Sequence, residues 1–271
     1  MKINKILLFF LLNSAVFFGT VFAIINLSIL DWKGFAIAIV CFVSMTVCYQ
    51  HFLNLVHQAS HQAISKKKWI NNSIGFFSAT ISGFTLADFK ATHLQHHANL
   101  GNSQKDPDEQ IVHTKPLLLM AFSIWKHDAF FWKHGLWKRR QAGVSYIITR
   151  LIQVTLLALI VANGLLNSWL VFSMAPLLII GTLNGFFLFY FPHYKPEWER
   201  KIRTEKTPAL WKKWIMLSID ISRIYHELHH DDVHNKLVYF PFLHILIDLK
   251  NNSWKTKLQE HGKKYILSEG N

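Results

Sequence analysis

The sequence predicts an all-α, multi-pass membrane protein with about four transmembrane helices in two hairpins and a helical cap on one face. Three observations predict it. Of the 271 residues, 51% are hydrophobic, and they fall into long apolar blocks instead of being spread evenly. Basic, histidine-rich blocks separate the apolar ones. The 29 Lys+Arg exceed the 16 Asp+Glu and flank the apolar runs, which points to anionic lipid headgroups and a lipid bilayer as partners, with no nucleic acid.

The elements follow in order. Ile6 to Leu30 is apolar behind Lys2 and Lys5, long enough at ~1.5 Å per residue to cross a ~30 Å hydrocarbon core. Val21-Phe22-Ala23 faintly resembles a cleavage site, but the run is long for the core of a signal peptide and reads as a span. After the turn Asp31-Trp32-Lys33, Gly34 to about Val56 forms a second span. Lys66-Lys67-Lys68 marks an interface. Trp69 to Phe89 is apolar but broken by Asn71, Asn72, Gly75, Ser78, Ser82 and Gly83, and reads as a third span, a re-entrant hairpin or an interfacial segment. Two further spans follow, about Tyr146 to Leu166 and Trp169 to Phe191. The rest is polar and basic, with an amphipathic piece from Pro208 to Ile221 suited to a membrane surface. Residues 88–145 carry eight Lys/Arg and residues 192–271 carry fourteen, against one at Asp31–Lys33 and none at Asn163–Ser168. By the positive-inside rule, both termini and both basic segments are expected on the cytoplasmic side. No repeat, low-complexity tract or linker is visible, so residues 1–271 read as a single domain. Cys41 and Cys48 both lie in an apolar run and form neither a disulfide framework nor a CxxC site.

Sixteen histidines are the anomaly. Eight fall in three clusters: His57-Gln58-Ala59-Ser60-His61 (HxxxH), His93-Leu94-Gln95-His96-His97 (HxxHH) and His226-Glu227-Leu228-His229-His230 (HxxHH). On a helix, positions i, i+3 and i+4 share a face, so each cluster aims two or three imidazoles one way. The predicted topology brings the three to one side of the membrane, the first just past the end of span two. Neutral imidazole binds iron, copper, nickel or zinc. One tetrahedral zinc takes at most four ligands, whereas eight fit two metals with open positions. Two adjacent irons can engage O2; zinc has no redox chemistry. His51, His113, His127, His134, His234, His244 and His261 lie outside the clusters and read as surface or supporting histidines. His226–His230 also matches HExxH, the zinc-protease signature with Glu227 as general base, but a protease leaves the other two clusters unexplained. A metal transporter is a further alternative, although its ligands belong at mid-membrane depth.

These clusters and their surroundings resemble the membrane fatty acid desaturase/hydroxylase superfamily from about Tyr49 to Pro241, and most of all β-carotene hydroxylases of the cyanobacterial type. His57–His61 resembles the first box. Thr92–Asn99 with Asp106-Pro107-Asp108 resembles the second and its acidic tail. Trp125–Arg140 resembles a linker, Phe191-Pro192-His193 a Leu-Pro-His element, Ile224–His230 the third box, and Tyr239-Phe240-Pro241 the segment after it. The chain departs from those relatives at Gln58, Phe189 and the polar stretch Asp231–Lys236. The resemblance implies a di-iron site (Fe2+/Fe3+) in the cytoplasmic cap, ligated by the eight box histidines and by His193. It implies an O2-dependent oxidoreductase that hydroxylates a lipid-soluble substrate, a β-carotene-type ring, or alternatively desaturates or hydroxylates a fatty acyl chain. Two electrons per turnover would come from a soluble donor such as ferredoxin or cytochrome b5, since the sequence holds no haem, iron–sulfur or nucleotide motif. Asp88, Asp106, Asp108, Glu227 and Asp231 are candidate carboxylates to orient the imidazoles.

Overall fold

The computed structural model describes residues 5–27, 31–112, 123–194, 197–205 and 207–231. Among the described residues all regular structure is helical. Four helical stretches are long and apolar enough to cross a membrane: Ile6–Ile25, Trp32–Ser60, Arg140–Ala162 and Leu166–His193. The chain divides into two compact units, with the boundary between Gly185 and Phe186.

In the first unit, α1 (Lys5–Ile25) packs along α2 (Trp32–Ser60). Asn13 on α1 donates to the Cys48 carbonyl at 3.3 Å, and the Cys48 thiol donates back to the Asn13 carbonyl. That reciprocal pair satisfies polar groups that hydrocarbon could not. Asp31 caps α2, accepting from the Gly34 amide at 2.8 Å. At 29 residues α2 is about 43 Å long, well beyond a ~30 Å core. It runs past the expected end at Val56, so His57 lies inside its last turn and not beyond it, and His61 is its C-cap. Gln62, at φ +57°, ends the helix in the left-handed region.

The broken apolar segment 69–89 resolves into α3 (Lys68–Ile81) and the start of α4 (Leu86–Ala98). With 14 residues, α3 spans about 21 Å and is too short to cross the core. Its polar residues have structural partners. Asn71, fully buried, accepts from the Ile64 and Ser65 amides and donates to the Ser65 and Lys67 carbonyls, tying the loop after the first box to α3. Gly75 allows the close approach of α3 to α2: a Cβ there would lie 2.6 Å from Ala59 Cβ. The turn after α3 is held by α7 (Arg140–Ala162). Arg150 donates to the Gly83 carbonyl at 2.9 Å and pairs with Asp128. Gln153 donates to the Phe84 and Thr80 carbonyls. These side chains donate to backbone carbonyls in and beside the turn that follows α3.

Between α4 and α7 lie α5 (Pro107–Val112) and α6 (Ser123–Lys133). The last span, Leu166–His193, comprises α8 (Leu166–Trp169), α9 (Ala175–Asn184) and α10 (Phe191–His193), joined by π-type turns at Leu170–Met174 and Gly185–Tyr190. Each π stretch precedes a proline, Pro176 or Pro192. A proline lacks an N–H and its ring crowds the carbonyl four residues back, here Phe172 and Leu188, so the ladder shifts register there. In the second unit, α11 (Glu197–Thr204) and α12 (Leu210–Asp231) follow. Phe191, Met216 and Ile219 form its core. Leu210, Trp211, Trp214 and Ile215 are exposed, as expected of the amphipathic piece at Pro208–Ile221. Tyr239–Pro241 and His113, His234, His244 and His261 lie outside the described residues.

Candidate metal centre

Three local features deliver five histidines in the first unit: the end of α2, the left-handed turn after it, and the capping box that starts α4. Thr85 accepts from the Asp88 amide, and Asp88 accepts from the Thr85 amide at 3.2 Å and the Thr85 hydroxyl at 2.6 Å. This is an N-terminal lock, and it corrects the expectation for Asp88: its carboxylate starts the helix and does not orient an imidazole. Burial, with Asp128 nearby, raises the Asp88 pKa well above its usual range.

From that start two stripes run along α4 at four-residue spacing. Phe89, His93 and His97 form one; Asp88, Thr92 and His96 form the other, about 100° apart at the His96–His97 step. The second box therefore does not present all three rings to one partner. His93 and His97 meet the first box: His61 Nε2 lies 2.8 Å from His93 Nε2, and His97 Nε2 lies 3.2 Å from it. The His57 ring is 4.6 Å from that of His93 and 5.1 Å from that of His61. The ligand atoms of His57, His61 and His93 all fall within 4.8 Å of one another.

His96 is fully buried on the other stripe, with Nδ1 2.8 Å from Asp106 Oδ1 and 3.5 Å from Asp108 Oδ2. Asp106 in turn accepts from the Gly101 and Asp108 amides. Burial opposes protonation of His96, but Asp108, Asp106 and Glu109 outweigh it and raise its pKa. Burial would raise Asp106, yet His96 and the two amides hold it low. Burial pushes Asp108 up to about 7, with His96 opposing and Asp106 adding. With Nδ1 engaged by a carboxylate, Nε2 is the ring atom through which His96 would bind a metal, the arrangement that metal-bound histidines commonly show.

His127, expected either at the surface or in a supporting place, is buried at the end of this chain of groups. Its Nδ1 is 2.7 Å from Thr92 Oγ1, and its Nε2 is 3.7 Å from Asp108 Oδ1. Burial pushes its pKa down to about 4. The signal was present in the sequence: His127 stands three and four residues before Phe130 and Phe131, both buried, on one face of α6.

In the second unit, α12 buries Met216, Ile219 and Arg223, and the same i, i+3, i+4 stripe continues into His226 and His230. Their Nε2 atoms are 3.0 Å apart. The His193 ring, at the end of α10, lies 4.6 Å from that of His226, and the His229 ring lies 5.8 Å from that of His230. His193 thus lies beside His226 of the third box. The side chains of Glu227 and Asp231 lie outside the described residues.

The donor set fits a first-row metal ion. Two imidazole nitrogens bound about 2.1 Å from one ion sit roughly 3 Å apart, and the close pairs in both units match that spacing. Neutral imidazoles with one carboxylate-oriented member suit iron and leave hard oxygen-seeking cations such as Mg2+ poorly served.

Comparison with known proteins agrees. A 52-residue stretch, 19% of the chain, is 35% identical to the bifunctional fatty acid conjugase/Delta(12)-oleate desaturase of Punica granatum, and covers 13% of that protein. No solved structure matches the chain. The family model for fatty acid desaturase matches residues 31–244. Because that match runs from the cap of α2 through the second and third boxes and across both units, the chain belongs to the fatty acid desaturase family, a family of iron-binding membrane oxidoreductases.

Proposed function

We propose that the chain is an O2-dependent di-iron membrane oxygenase that hydroxylates a β-carotene-type carotenoid ring. His57, His61, His93, His96, His97, His193, His226, His229 and His230 would hold two iron ions. Bound iron supplies the activation of O2 for attack on an unactivated C–H bond. The chain's own residues orient the ligands. Asp106 fixes His96, and the ends of α2 and α10 present His61 and His193. The observation that carries the reading is the convergence of His57, His61, His93 and His97 beside a carboxylate-bound His96. The carotenoid ring rests on the likeness of the boxes and of Phe191-Pro192-His193 to carotene hydroxylases. Membership in an oxidoreductase family sets aside the protease and transporter readings.

We read residues 1–271 as one domain, because the family match spans both units. The boxes and termini would face the cytoplasm, where the exposed Lys138-Arg139-Arg140 suits docking of an acidic electron donor such as ferredoxin or cytochrome b5. A fatty-acyl substrate is the second reading, favoured by the stretch similar to an oleate desaturase. Expression in a β-carotene-producing host, with pigments and acyl chains analysed together, separates the two. New hydroxylated carotenoids are expected; unchanged pigments with new acyl double bonds would replace the first reading by the second. The purified chain is expected to hold two irons, and His96→Ala to lose O2-dependent product.

A further inference from the structure

We propose that Arg223 is a positioning residue for the histidines of the second unit, locking the backbone on both sides of His193 to the helix that carries His226 and His230. The proposal rests on the reading of those histidines as iron ligands. Arg223 is buried on α12, three residues before His226 and seven before His230, so all three share a face. Its Nε–H donates to the Phe191 carbonyl at 2.8 Å, and Nη2 donates to the Tyr194 carbonyl at 3.1 Å. These two carbonyls bracket His193. The last carbonyls of a helix have no donor within it. One guanidinium thus takes over as donor at the place where the helix bearing His193 stops.

The guanidinium is itself held in place. Glu199, also buried, accepts from Nη1 at 2.5 Å and from Nη2 at 2.8 Å. Arg203 donates from Nε to the same Glu199 at 2.9 Å and from Nη2 to Asp220 on α12 at 2.6 Å. Burying an Arg–Glu pair carries a desolvation cost that an apolar pair of the same size avoids. What the pair supplies that an apolar pair cannot is direction: a planar fork serving two carbonyls and a carboxylate together fixes both distance and rotation between α10 and α12. Lysine keeps the charge but has a single nitrogen, and cannot serve the two carbonyls and both carboxylate oxygens at once.

The test uses the full-length chain in lipid nanodiscs, with iron retention against a chelator, the Mössbauer spectrum and helical content measured for Arg223→Lys, Arg203→Gln and His193→Ala. Arg203→Gln removes a neighbour of the same Glu199 without touching the carbonyls around His193. Arg223→Lys is expected to weaken iron retention roughly 10-fold, in line with loss of an orienting partner of a metal ligand, and to alter the spectrum with helical content kept. Arg203→Gln is expected to leave both readouts unchanged. Wild-type iron retention in Arg223→Lys, with loss in His193→Ala, overturns the positioning role alone. Full iron in His193→Ala overturns the ligand reading and this proposal with it. Equal loss in Arg203→Gln and Arg223→Lys also overturns it, since general loosening would then suffice. Should Arg223→Lys lose helical content, Glu199→Gln takes its place. It leaves the guanidinium on its carbonyls but unanchored, and unchanged iron retention there overturns the proposal.

Discussion

His96 and His97 are neighbours in sequence with opposite surroundings. His97 meets His93 and His61, while His96 is tied to Asp106 and Asp108 on the far stripe of α4. An imidazole fixed by a carboxylate on Nδ1 keeps one tautomer and one ring orientation, so Asp106 would act on a metal held by His96 through that ring. Asp106→Asn retains the shape but loses the charge, and presents either an oxygen or an amide to Nδ1. It is expected to lower iron affinity or activity by about 10- to 100-fold, with helical content unchanged, measured by iron titration and by product formation. Thr92→Val tests the same network one step further out, because it removes the hydroxyl beside His127 Nδ1. A smaller loss than in Asp106→Asn is expected in the same titration.

At the scale of elements, the sites depend on how helices end and how closely they pack. Gly75 and Ala59 set the contact of α3 with the part of α2 that carries the first box. Gly75→Ala places a methyl 2.6 Å from Ala59 Cβ and 2.9 Å from Leu86 Cδ1, so backbone must move. A loss of about 1–3 kcal/mol in unfolding stability is expected, with reduced iron content, since Ala59 lies between His57 and His61. In the second unit the join of α11 and α12 has a pH dependence of known sign. Burial would raise the Glu199 pKa, but hydrogen bonds and charge from Arg223 and Arg203 outweigh it and hold it below its ordinary value of 4.5. A depressed carboxylate contributes stability that is fully present above the unfolded pKa and is lost as pH falls through the folded one. The difference in stability between the wild type and Glu199→Gln should therefore be constant above about pH 5 and shrink progressively below it, as measured by denaturation across pH. Removing one member of the buried pair is expected to cost about 3–5 kcal/mol at neutral pH.

At the scale of the molecule, the four spans and the charge distribution make orientation testable. The turn at Asn163 between α7 and α8 carries no Lys or Arg near it, whereas Lys138-Arg139-Arg140 opens α7. With Cys41 and Cys48 replaced by serine, Asn163→Cys is expected to react with a membrane-impermeant thiol reagent applied from outside the cell, and Lys138→Cys only after permeabilisation. The reverse pattern would place the boxes on the outer side and remove a cytoplasmic electron donor from consideration.

The sequence by itself determined the four spans and the three boxes, because hydrocarbon thickness and helical periodicity act on local residue order. It located each span to within about six residues of its bounds, and it marked eight of the nine candidate ligands by spacing alone. His193 needed the family likeness, since a single histidine after a proline has no periodic signature. Tertiary structure alone decided the rest. It gave the two stripes of the second box different partners, assigned Asp106 to His96, placed His127 between Thr92 and Asp108, and set Arg223 across the end of α10. Each of these depends on which groups from distant parts of the chain lose water together, and hydrogen-bond partners chosen by shared burial leave no period in the sequence.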